Sequence, residues 1–144
     1  MAARWGSATR ALFCTPAHSR LGPALWRDVG EALRQRIIRR TRAGIDPRSG
    51  GLFHGYTRGY RRRRERAGLQ TGHVDHVWSG TMLGSIAVFP GRNLVVLRLA
   101  GREALKALVH ATRHERPWFS LSSSDLASAA ALLGRVLLQS LYRR

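Results

Sequence analysis

From Pro23 to Ala43 the chain is constrained to a helix with one side hidden from water. Leu25, Trp26, Val29, Leu33 and Ile37 recur at three- and four-residue spacing, which sets them in one apolar stripe. Pro23 suits a first helical turn, where its missing N–H is not needed. Asp28 and Glu31 lie early and Arg39, Arg40 and Arg42 late, an order that complements the helix dipole. Gly44 supplies the stop. A stripe of this kind needs a partner surface, and 144 residues with 44% apolar content suffice for one domain with one core.

The remaining pattern predicts an α+β fold: a long N-terminal helix, an antiparallel β-hairpin or small sheet, and two C-terminal helices. Residues 45–60 read as a glycine-punctuated loop, with turns at Asp46-Pro47 and Gly50-Gly51 and with Phe53, Tyr56 and Tyr60 to dock it. Arg61–Arg66 follows as a short helix ending at Gly68. Val74 to Ile86 combines a β-prone piece with a helical turn capped by Ser79 and carrying Met82, Leu83 and Ile86. Ser85–Pro90 and Leu94–Leu99 read as two strands joined at Gly91-Arg92-Asn93, with Arg98 facing solvent. Arg102 to His114 is a helix with Leu105, Leu108, Val109 and Thr112 on its apolar face. Arg116-Pro117 ends it, because proline cannot continue a helix. Ser122–Ser124 and Asp125 cap a last helix with Leu126, Ala130, Leu133, Leu137 and Leu141 along one side. No linker divides residues 23–144, which form a single domain. Residues 1–22 contain no acid and read as a flexible basic arm; their composition also resembles an organellar presequence.

Charge narrows the function. Twenty-five basic residues face eight acids, a formal net charge of +17, and Lys106 is the one lysine. Residues 34–66 alone carry +10, so the excess is concentrated in a patch. A small domain so charged repels itself unless it meets counter-charge. Nucleic acid, an acidic protein ring and an anionic membrane surface all qualify. No apolar run approaches the roughly 20 residues of a spanning helix. Cys14 is the single cysteine and has neither a disulfide partner nor a CxxC mate, which fits a reducing compartment.

Signals for catalysis are sparse. The acids are scattered singly, and the glycines at 44–55 match neither a phosphate-binding loop nor a dinucleotide fingerprint. His73 and His76 lie three apart, and His110 and His114 lie four apart on one helix face. Residues 111–113 are Ala-Thr-Arg, however, and supply no acid in the zinc-hydrolase pattern. The reading is of a chain that is not an enzyme, with no cofactor and no metal. The affirmative signal is basic and aromatic together. Arg58, Arg61, Arg62, Arg63, Arg64 and Arg66 lie beside Tyr56 and Tyr60, and guanidinium groups grip phosphate or an acidic partner while aromatics stack bases or pack beneath them. Tyr56, Tyr60, Met82, Leu83, Trp118 and Phe119 are the candidates for the core or a subunit interface.

The order of features from residue 45 onward resembles the virion-morphogenesis, or tail-completion, proteins of Mu-like and lambda-like tailed phages. The residues that carry the resemblance are Asp46, Gly51, Phe53 and Tyr56; Tyr60 with Arg64; Trp78-Ser79-Gly80-Thr81-Met82-Leu83 with Ser85-Ile86; His110; and Arg116-Pro117-Trp118-Phe119-Ser120-Leu121-Ser122 with Asp125. Ser120 stands where that family commonly has glycine, and the long acid-free arm before Pro23 is not typical of it. The resemblance implies a structural virion protein of the head–tail junction, assembled in the bacterial host cytoplasm. It implies a homo-oligomeric ring, hexameric or close to it, around the DNA channel. Neighbouring neck, stopper or tail-terminator proteins and non-specific double-stranded DNA would be its partners, with no membrane involved. A rival reading is a basic nucleic-acid-binding module such as an organellar ribosomal or nucleoid protein.

Overall fold

The computed structural model describes residues 3–6, 10–14 and 22–142. Their order is β1 (Ala3–Gly6), β2 (Arg10–Cys14), α1 (Pro23–Arg42), α2 (Arg58–Arg66), α3 (Thr81–Gly84), β3 (Ala87–Pro90), β4 (Leu94–Arg98), α4 (Gly101–Thr112) and α5 (Ser123–Tyr142). The fold is α+β, with an N-terminal helix, an antiparallel hairpin and C-terminal helices, as the hydrophobic patterning predicts. The strands run antiparallel in the order β1-β2-β4-β3. Two stretches of the segment read as an arm are thus strands here. Without β2, the hairpin would leave the backbone groups of β4 unpaired along that edge; β2 satisfies them in the register Arg10↔Arg98 to Cys14↔Leu94. Apart from Gly22, the rest of the arm lies outside the described residues.

Helix α1 begins and ends where the stripe predicts. Trp26, Val29, Leu33 and Ile37 are all fully buried, against the β3–β4 hairpin on one side and α5 on the other. Gly30 shows how close that approach is. A Cβ placed there would sit 2.3 Å from Val88 Cγ1 and 2.6 Å from Val95 Cγ2. At the far end Gly44 takes a left-handed φ of +75°, which glycine adopts without penalty. His73 Nε2 then lies 2.7 Å from the carbonyl of Arg42 and covers the helix end.

Strand β4 alternates as a half-buried strand does, with Val95 and Leu97 inside and Arg98 outside. Leu83, Ile86, Val74 and Phe53 close the core from the loop side, and Trp118, Phe119 and Leu121 close it below. Of the apolar residues expected along α5, Leu133 is buried and Leu126 partly so; the side chains of Leu137 and Leu141 lie outside the described residues. The β-prone piece at Val74 forms no strand, because its backbone is drawn into the polar site described below.

Helix α4 departs from its pattern. Leu105, Leu108 and Val109 are 64%, 40% and 41% exposed, and Thr112 is exposed too; the buried position is Ala107. The inward side is instead Glu103, Ala104, Ala107, His110 and Ala111. Small alanines let the helix settle closely on α3, and a close approach wins over a wide apolar stripe that no described residue covers.

Candidate functional site

Helix α2 carries the arginine run and starts three residues earlier than its pattern suggests, at Arg58. All six patch candidates lie on this one short helix, and five of them, Arg58, Arg61, Arg62, Arg63 and Arg66, are exposed. Arg64 is the exception. It points inward and is 1% exposed, so it is not part of the charged surface.

Arg64 is held by an arrangement that uses most of its fork. Nε donates to the carbonyl of Gln70 at 2.9 Å, Nη1 to the carbonyl of Val77 at 2.7 Å, and Nη2 to both oxygens of Asp75 at 3.1 and 3.2 Å. Its guanidinium lies 4.7 Å from the centre of the Tyr56 ring, and the Tyr56 hydroxyl donates to Asp75 at 3.0 Å. Burial alone would raise the Asp75 carboxyl. Hydrogen bonds from Gln70, the Val77 N–H and Tyr56, with the Arg64 charge, hold it below the usual range. Burial pushes the Tyr56 phenol the other way, up to about 12, so it stays a donor. The cluster fastens α2 to the 70–77 loop and so sets the direction of the five outer arginines.

Beside it opens a pocket of about 590 Å³. Tyr60 and Trp78 stand at its mouth, 38% and 44% exposed, with ring centres 6.1 Å apart. The Arg63 guanidinium sits 5.0 Å from the centre of the Trp78 ring, within cation–π range. His76 and His110 form the inner wall, ring centres 4.7 Å apart, and His114 follows 5.5 Å from His110. Burial, the neighbouring His110 and Arg116 push the His76 imidazole down to about 3; burial, His114 and Arg116 push His110 down to about 4. Both rings are therefore neutral near pH 7. His76 also holds a left-handed φ of +53°, uncommon for a residue with a side chain. Arg116 lies at the rim, donating to the carbonyls of His54 and Gly55 at 2.7 and 2.8 Å. Lys106 and Glu103 also line the pocket and pair at 2.6 Å.

The other candidates divide cleanly. Met82, Leu83, Trp118 and Phe119 are core, at 8%, 1%, 0% and 7% exposure, and Tyr56 is half-buried. Tyr60 is not core; it stays at the pocket mouth because α2 runs along the surface there. The His73–His76 pair is split between a helix end and the pocket wall. Among the described residues no group of three or more His, Cys, Asp or Glu could hold a metal ion.

A second charged site is not foreseen in the sequence reading. Asp125, 2% exposed, receives Arg40 Nη1 on one oxygen and Arg36 Nε at 3.2 Å on the other. It also accepts the Ser122 N–H at 2.9 Å, while Ser122 Oγ accepts the Asp125 N–H at 3.2 Å, a reciprocal cap that opens α5. Arg40 reaches on to the carbonyls of Trp118 and Ser120 at 3.1 and 2.6 Å. The cap is legible as Ser-x-x-Asp; the pairing with α1 joins residues 85 apart and leaves no local trace beyond the i,i+4 spacing of Arg36 and Arg40. No protein-family model, curated protein or solved structure matches the chain.

Proposed function

We propose that the chain is a structural subunit of the head–tail junction of a tailed phage, a non-enzymatic ring protein that rests its basic helix against the DNA path. The observation that supports this is the outer face of α2: five exposed arginines on a nine-residue helix, fixed in direction by the buried Arg64–Asp75 pair. Such a face meets phosphate without reading bases, since nothing in it addresses a groove edge. The ordered motifs from Asp46 to Asp125 supply the phage assignment by resemblance. No helix among the described residues is long and apolar enough to cross a membrane.

Identical subunits related by rotation would close a ring and place α2 repeatedly along the channel. The measurement is duplex DNA affinity against salt, with particle size by light scattering. Five phosphate contacts give a slope of about −4 to −5 in log affinity against log salt. Sequence-selective binding indifferent to salt, or a subunit that remains monomeric inside assembled particles, defeats the reading.

A further inference from the structure

The pocket beside α2 has a division of character that the phosphate-gripping face does not need. Its inner wall carries the rings of His76 and His110, both neutral near pH 7, while the carboxylate of Glu103, also in the lining, is paired with Lys106. Its mouth has two partly exposed aromatic rings, Tyr60 and Trp78, with Arg63 over one side of the Trp78 ring. Its rim has Arg63 and Arg116, and among the described residues neither forms an ion pair with a carboxylate. An occupant that suits all three is flat, able to stack, and anionic at one end. The volume, about 590 Å³, exceeds what one aromatic side chain fills and lies in the ordinary range for small-ligand sites.

We propose that this pocket takes one unpaired nucleotide, its base against Tyr60 and Trp78 and its phosphate between Arg63 and Arg116. Continuity favours nucleic acid over an acidic peptide. Arg63 belongs both to the pocket and to α2, whose Arg58, Arg61, Arg62 and Arg66 extend the same positive charge outward. A strand whose backbone follows that helix reaches the pocket without crossing a neutral gap. Base stacking on exposed aromatics is tolerant of sequence, so the pocket would discriminate paired from unpaired bases and not one base from another. Duplex DNA keeps its bases stacked inside and cannot use the site. The inference thus goes beyond a phosphate-binding face: it adds a preference for unpaired ends or single strands.

The test uses the full chain and a fluorescein-labelled oligothymidylate, with a labelled duplex of equal length beside it. Trp78→Leu and Tyr60→Ala should each weaken the single strand about tenfold and leave duplex binding unchanged. Tyr60→Phe should restore the single-strand affinity. Both aromatics are surface residues, and thermal melting by circular dichroism checks that the variants remain folded. Competition by millimolar thymidine 5′-monophosphate would assign the site to free nucleotide; single-strand binding that thymidine 5′-monophosphate leaves untouched would assign it to a nucleotide within a strand. Single-strand affinity unchanged in folded Trp78→Leu overturns the proposal. So does an acidic, tyrosine-containing peptide that displaces the strand at lower concentration than thymidine 5′-monophosphate and does so through Trp78. A chain that fails to form rings or to bind duplex, yet binds the single strand through Trp78, would sink the head–tail reading and leave this one standing.

Discussion

Arginine does opposite work in two regions of this molecule. Where α1 meets α5, Arg36 and Arg40 converge on Asp125, and Arg40 is largely removed from water. On the outer side of α2, Arg61 and Arg62 have no such partner among the described residues and remain in solvent. The residue type and the helical context are the same in both regions. What separates them is one carboxylate. A buried guanidinium is tolerable only when its charge and its donors are matched, and Asp125 with two carbonyls provides that match for Arg40. With eight acids for twenty-five bases, the chain can internalise few of its arginines, and the rest must face outward. Arg64 is the informative intermediate: it lies in the outward run, yet Asp75 and two carbonyls draw it in.

The sharpest way to break this contrast is to remove the carboxylate. Asp125→Ala leaves Arg40 buried without its counter-charge and removes the α5 cap, and should cost about 3–5 kcal/mol in urea unfolding. A loss below about 1 kcal/mol would mean that water already serves Arg40 and that the two regions differ less than the geometry says.

Arg64→Ala comes next, with an expected loss of about 3 kcal/mol from the uncompensated Asp75. It should also loosen α2, so duplex affinity falls even though Arg64 never reaches the surface. Stability and affinity measured on one sample separate this from a direct phosphate contact, which would move affinity alone.

Acid probes the same principle through histidine. His76 and His110 titrate well below the ordinary imidazole value of 6.5 when folded, so between that value and about 3 to 4 the unfolded chain binds more protons. Their contribution is complete above pH about 6.5 and is lost as pH falls. For His76 the drop between pH 6.5 and 5 should be about 2 kcal/mol, with a smaller share from the more exposed His110. Asp46 and Asp75 act in a lower window, below their ordinary 3.8. Chemical denaturation at the two pH values checks this, and His110→Phe should flatten the dependence.

The smallest stability effect belongs to the outer face. Replacing Arg61 and Arg62 together by alanine should change stability by no more than about 0.5 kcal/mol. The same variant should lower the salt slope of duplex binding by about 2. A large stability change with an unchanged slope would erase the distinction between the two arginine populations.

Much of the fold is legible in the sequence because it is local. The Trp26–Ile37 stripe, the stop at Gly44, the hairpin at Gly91-Arg92-Asn93 and the Ser122–Asp125 cap each depend on residues a few positions apart, and the structure holds all of them. The stripe of α4 has equally good periodicity and is nevertheless exposed, since periodicity says that a helix has an apolar side and not that another element covers it. The candidate site was legible in part for the same reason. Helix α2 and its charge follow from composition, whereas the pocket needs Trp78, His110 and Arg116 brought to Tyr60 from as many as 56 positions away.

By itself, then, the sequence determined where helices and turns begin, how much positive charge the molecule carries and that it is densest over residues 34–66. Only the tertiary structure decided which arginines are structural and which are free to meet a partner, because that depends on which of eight scarce carboxylates lands beside which guanidinium. Tyr60 and Trp78 were sorted in the same way, into pocket mouth and not core, by the path of α2 across the surface. Long-range pairing energy is invisible to local pattern, and here it is what separates scaffold from site.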